Sequence, residues 1–163
     1  MFEKIENDKL FISDECDELF MREALALAKK AREIDEVPVG AIIVHKGEII
    51  ARGYNKRETD RCATHHAELL AIEEACHVLG GWRLPNCTLY VTLEPCPMCA
   101  GAIINSRIGR VVFGTPDNRA GAFGTLFDLN ELPLNHKTEI KKGVLSAECA
   151  DILREYFRAK REK

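Results

Sequence analysis

The spacing of apolar residues divides the chain into alternating helical and extended segments. Phe20, Ala24, Leu27, Ala28 and Ala31 recur every three to four positions, which predicts a helix over about 19–33. Val39 to Val44 and Glu48 to Ala51 flank Lys46-Gly47 and predict a β-hairpin. Leu69, Leu70, Ile72, Ala75 and Cys76 predict a buried helix over about 65–79, followed by a short strand from Thr88 to Thr92. A third helix opens near Pro97, whose missing N–H is harmless in a first turn, and runs to Asn105. Arg110-Val111-Val112-Phe113 is a further strand, Gly114 to Gly124 a loop rich in turn residues, and 139–144 a last strand. Ala147 to about Lys160 reads as a terminal amphipathic helix. Strands alternating with helices predict a layered α/β sheet. Residues 1–17 show little periodicity and read as an acidic, flexible N-terminal extension, ahead of a single domain over 18–163.

Composition narrows the class. A chain of 163 residues, 46% hydrophobic and 30% charged, is large enough to bury one core without staples. No run approaches the roughly 18 apolar residues of a membrane span, and the acidic N-terminus is unlike a signal peptide, so a cytoplasmic protein without a membrane partner is expected. Seven cysteines at irregular spacing argue against a disulfide framework. Cys96 and Cys99 suit a metal, whereas Cys16, Cys62, Cys76, Cys87 and Cys149 read as small buried hydrophobes.

The net charge of −3 is unevenly spread. Residues 1–18 hold seven acids against Lys4 and Lys9, and the remainder holds 21 basic and 19 acidic residues. The C-terminal Arg154, Arg158, Lys160, Arg161 and Lys163 make a basic tail, which reads either as a solvated face or as a nucleic-acid contact.

The chemistry concentrates in two short motifs. His66-Ala67-Glu68 is followed by Pro95-Cys96-Pro97-Met98-Cys99, with 30 positions from His66 to Cys96. Three soft ligands with one unused carboxylate suit a zinc site that activates water, because catalytic zinc keeps three protein ligands and leaves a position open. H-x-E followed by P-C-x-x-C is the pattern of zinc-dependent nucleobase deaminases. Both halves fall at predicted helix starts, where unpaired N–H groups and the helix dipole favour thiolates. His66, Cys96 and Cys99 are therefore the expected ligands of one Zn2+ per subunit, and Glu68 the group that moves the proton. The competing arrangement is a closed structural site with Cys62 as fourth ligand; His65 would point away from the metal.

At this point the chain resembles a known family. Thr92-Leu93-Glu94-Pro95-Cys96-Pro97-Met98-Cys99-Ala100-Gly101-Ala102 is similar to the core motif of the bacterial tRNA-specific adenosine deaminases, within the cytidine and deoxycytidylate deaminase superfamily. Val37-Pro38-Val39-Gly40-Ala41, Asn55, Ser106-Arg107-Ile108, Val111-Val112-Phe113-Gly114 and Asn135-His136 follow the same family in the same order, over about residues 19–161. The resemblance implies a three-layer cytidine-deaminase-like fold, with a mixed five-stranded sheet between helices on both faces. It implies a homodimer that converts adenosine to inosine at the wobble position of a tRNA anticodon, in an arginine tRNA. The tRNA anticodon stem-loop would be the partner.

By matching position, Asn55, Val39, Ala67 and Leu93 would meet the target base, and Asp117, Phe157 and Arg158 the RNA around it. Five of these have a plainer reading from the residues alone. Asn55 and Asp117 suit turns, Val39 and Leu93 suit the core, and Phe157 suits helix packing. Two other functions share the motif: deamination of a free base or nucleoside (cytosine, cytidine or guanine), and a zinc-stabilised RNA-binding module without catalysis.

Overall fold

The computed structural model describes residues 2–5 and 9–163, with side chains from residue 13 onward. Phe2–Ile5 (β1) and Lys9–Ile12 (β2) pair as an antiparallel ribbon. Helix α1 then spans Asp14–Glu33, so its start lies ahead of the expected residue 19 and inside the segment expected to be a flexible extension. The reason is local: Ser13 caps the helix by accepting the Cys16 N–H at 3.3 Å, and Asp14, Glu15 and Asp17 sit in the first turn against the positive end of the dipole. These acids begin a helix instead of forming a solvated leader.

The expected hairpin is β3 (Gly40–His45) and β4 (Glu48–Tyr54), turned through Lys46 and Gly47, both at positive φ. Then come α2 (Ala67–Leu79), β5 (Cys87–Leu93), α3 (Pro97–Asn105), β6 (Arg110–Thr115), β7 (Glu139–Lys142) and α4 (Ser146–Arg161). The main sheet has the order β4-β3-β5-β6-β7. The β4–β3 and β3–β5 pairs are antiparallel and the β5–β6 and β6–β7 pairs parallel, so the sheet is mixed, as expected.

Period-two alternation sends the strand side chains to two cores. Ala41, Ile43, Leu89, Val91, Val111 and Phe113 pack with α2 and α3 on one face. Ile42, Val44, Tyr90 and Val112 pack with α1 and α4 on the other. The result is the three-layer α/β architecture. Strands buried on both faces read as unbroken apolar runs, which is why 41–44 and 89–91 lacked a polar side. Gly40 is needed where α1 crosses β3, since a Cβ there would strike the Ala24 carbonyl and lie 2.6 Å from the Ala28 nitrogen.

Asp17 anchors α1 to three strands. Its fully buried carboxylate accepts from the Tyr90 hydroxyl at 2.7 Å, from both Arg110 terminal nitrogens at 2.8 Å and from Lys141 at 2.7 Å. Of the five cysteines expected to be buried, Cys16, Cys87 and Cys149 are, whereas Cys62 and Cys76 are only partly covered, each lying at a loop or helix edge. Among the described residues no helix is long and apolar enough to cross a membrane.

Candidate metal centre and base pocket

His66 and Cys96 occupy equivalent places, the N-caps of α2 and α3, with extended backbone (φ −76°, ψ 155° and φ −74°, ψ 172°). A Ser or Asp at an N-cap would fold back onto the first-turn N–H groups. The imidazole and the thiol make no such bond and instead meet across the space between the helices. Cys99, the third residue of α3, completes the group: His66 Nδ1 lies 3.7 Å from Cys96 Sγ and 3.6 Å from Cys99 Sγ. A tetrahedral zinc with Zn–S of about 2.3 Å and Zn–N of about 2.05 Å separates a sulfur from a nitrogen by about 3.6 Å, so the donor set fits the ion.

Among the described residues these three form the one cluster of this kind, all donor atoms within 4.8 Å of one another. Cys62 is not part of it, being bonded to Thr64 Oγ1 at 3.3 Å, and His65 turns away to Asp60 at 2.7 Å. Three protein ligands make an open site, which excludes Cys62 as the closing ligand.

The titratable groups are strongly perturbed. The bonds from Cys99 and His66 hold the Cys96 thiol down at about 4, against burial. The Cys99 thiol is pushed up by its hydrogen bond with Cys96 and by burial. A divalent cation held by these donors would displace their protons. The Cys96 bond also raises the His66 imidazole. Glu68, at the second position of α2 and 4% exposed, is pushed up to about 7 by burial, with the His66 charge opposing.

A pocket of about 170 Å³ opens beside the cluster. Of the expected residues, Val39, Asn55, His66, Ala67, Glu68, Leu93, Cys96 and Asp117 all line it. Asn55 and Asp117 also do the local work that the plainer reading assigned them. Asn55 Oδ1 accepts the Arg57 N–H at 3.1 Å and its Nδ2 donates to the Val37 carbonyl at 3.2 Å. Asp117 Oδ1 accepts from the Arg119 and Ala120 N–H groups at 2.9 and 3.2 Å. These turn bonds hold both side chains at the pocket wall. Val37, Arg57, Glu94 and Ala120 line it as well and were missed. Glu94 could have been flagged by its place directly before the P-C-x-x-C motif, and Arg57 by its closeness to Asn55.

Phe157 and Arg158 are not among the residues lining this pocket. Tyr156 is buried, its hydroxyl donating to the Asp35 carbonyl at 3.1 Å, while Phe157 packs edge-on to the Tyr156 ring at 5.3 Å and stays 42% exposed. Part of the tail's positive charge is spent locally: Lys160 pairs with Asp35 at 2.7 Å and Arg154 with Asp151.

The sequence has clear relatives. A tRNA-specific adenosine deaminase of Bacillus subtilis is 55% identical over 148 residues, covering 90% of this chain and 92% of the relative. A solved structure from work on A-to-I editing by tRNA:A34 deaminases at the wobble position of transfer RNA is 42% identical, covers 83% of this chain and 99% of its own, and superposes with a TM-score of 0.78. A guanine deaminase from Nitrosomonas europaea is 29% identical over 94% of this chain and 98% of its own, with a TM-score of 0.71. Residues 14–115 match the zinc-binding region of cytidine and deoxycytidylate deaminases, and the chain belongs to that family.

Proposed function

We propose that this protein hydrolyses adenosine to inosine at the wobble position of a tRNA anticodon, in an arginine tRNA. The observation that carries the chemistry is Glu68. It is a buried carboxylate outside the ligand cluster, facing the same pocket as His66 and Cys96. The adenosine in tRNA is supported by the B. subtilis relative and by the structure from the A34 editing work.

His66, Cys96 and Cys99 would hold a zinc ion, whose contribution would be Lewis-acid chemistry that lowers the pKa of water from about 15.7 toward 7. Glu68 would accept the first proton from water and deliver it to N1 of the adenine ring as oxygen adds at C6, then carry the proton of the new C6 hydroxyl to the amine, which leaves as ammonia as the C6–N bond breaks and C6=O forms. Adenosine and water thus become inosine and ammonia. A carboxyl held at about 7 suits both the accepting and the donating role near neutral pH. Asn55 retains hydrogen-bonding capacity beyond its two turn bonds and presents it to the base. Val39, Ala67 and Leu93 supply apolar walls, and Asp117 faces the sugar side.

A pocket of about 170 Å³ is well below the roughly 300–1,000 Å³ that takes a drug-sized ligand, which favours one extruded base with the rest of the nucleic acid outside. The exposed Phe157 and Arg158 would then meet the anticodon loop by stacking and phosphate contact. The exposed Leu126, Phe127, Leu132 and Leu134 support a homodimer. Acting on tRNA, the protein would work in the cytoplasm. The same small pocket, with the likeness to a guanine deaminase, favours a second reading in which a free base is the substrate.

Glu68→Gln should keep zinc and fold yet lower inosine formation by about 10²–10⁴-fold. Full activity in that variant would refute the assigned mechanism, whereas a zinc-loaded wild-type protein that turned over no substrate would be a non-catalytic zinc module. Zinc-loaded protein is offered tRNA, an anticodon stem-loop, free nucleosides and free bases. Turnover of guanine or cytidine with none of tRNA would overturn the preferred substrate.

A further inference from the structure

A second buried carboxylate adjoins the metal motif and has no part in the chemistry above. Glu94, 1% exposed, leaves β5 directly and stands two residues before Cys96. One of its oxygens accepts the Asp117 N–H at 3.3 Å and the Thr125 hydroxyl. The other accepts the N–H groups of Phe123 and Thr125 at 3.1 and 3.3 Å. All four donors come from one loop, and among the described residues Glu94 has no cationic partner.

The loop is bonded to the motif on both sides of this carboxylate. The Glu94 N–H donates to the Thr115 carbonyl at 2.9 Å, and the Ala122 N–H to the Pro95 carbonyl at 3.0 Å. Gly121 passes so close that a Cβ there would strike the carboxylate. The segment held in this way carries Asp117 and Ala120 on the pocket wall.

We propose that Glu94 is the positioning residue that seats the 117–125 loop, and with it the Asp117–Ala120 wall of the base pocket, against the metal motif. For its substrate the inference rests on the reaction proposed above. Only a carboxylate satisfies this loop, because both oxygens must accept. In Glu94→Gln one of the two sites becomes an NH2 group. It would then face the Asp117 N–H on one side, or the Phe123 and Thr125 N–H groups on the other, and donors meeting donors release the loop.

The test uses the zinc-loaded full chain and the variants Glu94→Gln, Thr125→Val and Thr125→Ser. Three quantities are read: zinc content, amide hydrogen exchange at residues 117, 123 and 125, and steady-state kinetics on an anticodon stem-loop. Glu94→Gln should exchange faster at those amides, keep its zinc, and raise KM about tenfold with kcat little changed. Thr125→Val should move in the same direction by less, and Thr125→Ser, which restores the hydroxyl, should return to wild type. Should Glu94→Gln fail to fold, the Val and Ser pair decides alone. Unchanged exchange, a loss confined to kcat or to zinc content, or equal behaviour of Thr125→Val and Thr125→Ser would overturn the assignment. If the wild-type protein makes no inosine, the proposed reaction fails, while the exchange comparison still decides the role of Glu94.

Discussion

Replacing Asp17 by Asn should destabilise the protein strongly without altering its activity. Asp17 is fully buried and takes four donated bonds, from Tyr90, twice from Arg110 and from Lys141. An Asn keeps one accepting oxygen for Tyr90 and one Arg110 nitrogen, but turns its NH2 toward the remaining donors and removes the charge. Breaking a buried ion pair from one side costs about 3–5 kcal/mol. The Arg110 and Lys141 side chains remain 17% and 30% exposed, so both can rehydrate, which places the loss at the lower end, about 3 kcal/mol. For a domain of this size that corresponds to a fall in Tm of roughly 6–12 °C.

The pH dependence has a definite sign. Burial works to raise the Asp17 carboxyl, but the bonds from Arg110, Lys141 and Tyr90 outweigh it and hold it below the usual range. A carboxyl with a depressed native pKa adds stability above its unfolded pKa of about 3.9, and that stability is lost as pH falls through the native value. Calorimetry should therefore find a constant Tm gap between wild type and variant from about pH 8 to about pH 5, closing in stronger acid. None of the four residues lines the pocket, so kcat/KM at 25 °C should match wild type. A gap under about 2 °C, or one that widens in acid, would refute the reasoning.

Gly53→Ala should misplace α2, because the new Cβ would strike the Ala67 carbonyl and sit 2.9 Å from the Ala71 nitrogen. The expected cost is about 1–3 kcal/mol, with reduced zinc content, since His66 caps that helix; a variant with full zinc and unchanged Tm would contradict the packing. Cys99→Ser should abolish zinc-dependent stabilisation. Wild-type protein at free zinc a thousandfold above its Kd should gain about 4 kcal/mol over the chelated form, read as a Tm shift that the variant lacks.

The parts legible from sequence are those whose signals are local. Helical and strand periods located every element of the main sheet, and His66, Glu68, Cys96 and Cys99 stood out because metal chemistry demands those side chains at short spacing. What escaped notice depends on partners far along the chain. The Asp17 bonds span 73 to 124 residues, so an acid in a charged leader gave no hint of its burial. The Glu94 bonds reach 23 to 31 residues ahead, to a loop whose turn composition says nothing of what it encloses. The start of α1 was a local signal passed over: Ser13 followed by acids is an N-cap pattern, obscured by the run of negative charge.

The site's construction separates chemistry from recognition while keeping them in register. β5 and β6 are parallel neighbours, with Leu93 opposite Thr115, so the chain leaves both at the same edge of the sheet. Ligands in open α/β sheets bind at such carboxyl edges. The chain leaving β5 becomes the cysteine motif, and the chain leaving β6 brings Asp117 and Ala120 to the pocket wall. Changes at residues 118–120 can therefore reshape the wall without shifting a metal ligand. A change at Leu93 or Glu94 acts on both, because one end of that segment is fixed to Cys96 and the other holds the loop. On this reasoning the loop after β6 adds one wall to a pocket otherwise lined by Val39, Asn55, Ala67 and Leu93, whereas the candidate metal ligands and Glu68 come from the caps and first turns of α2 and α3.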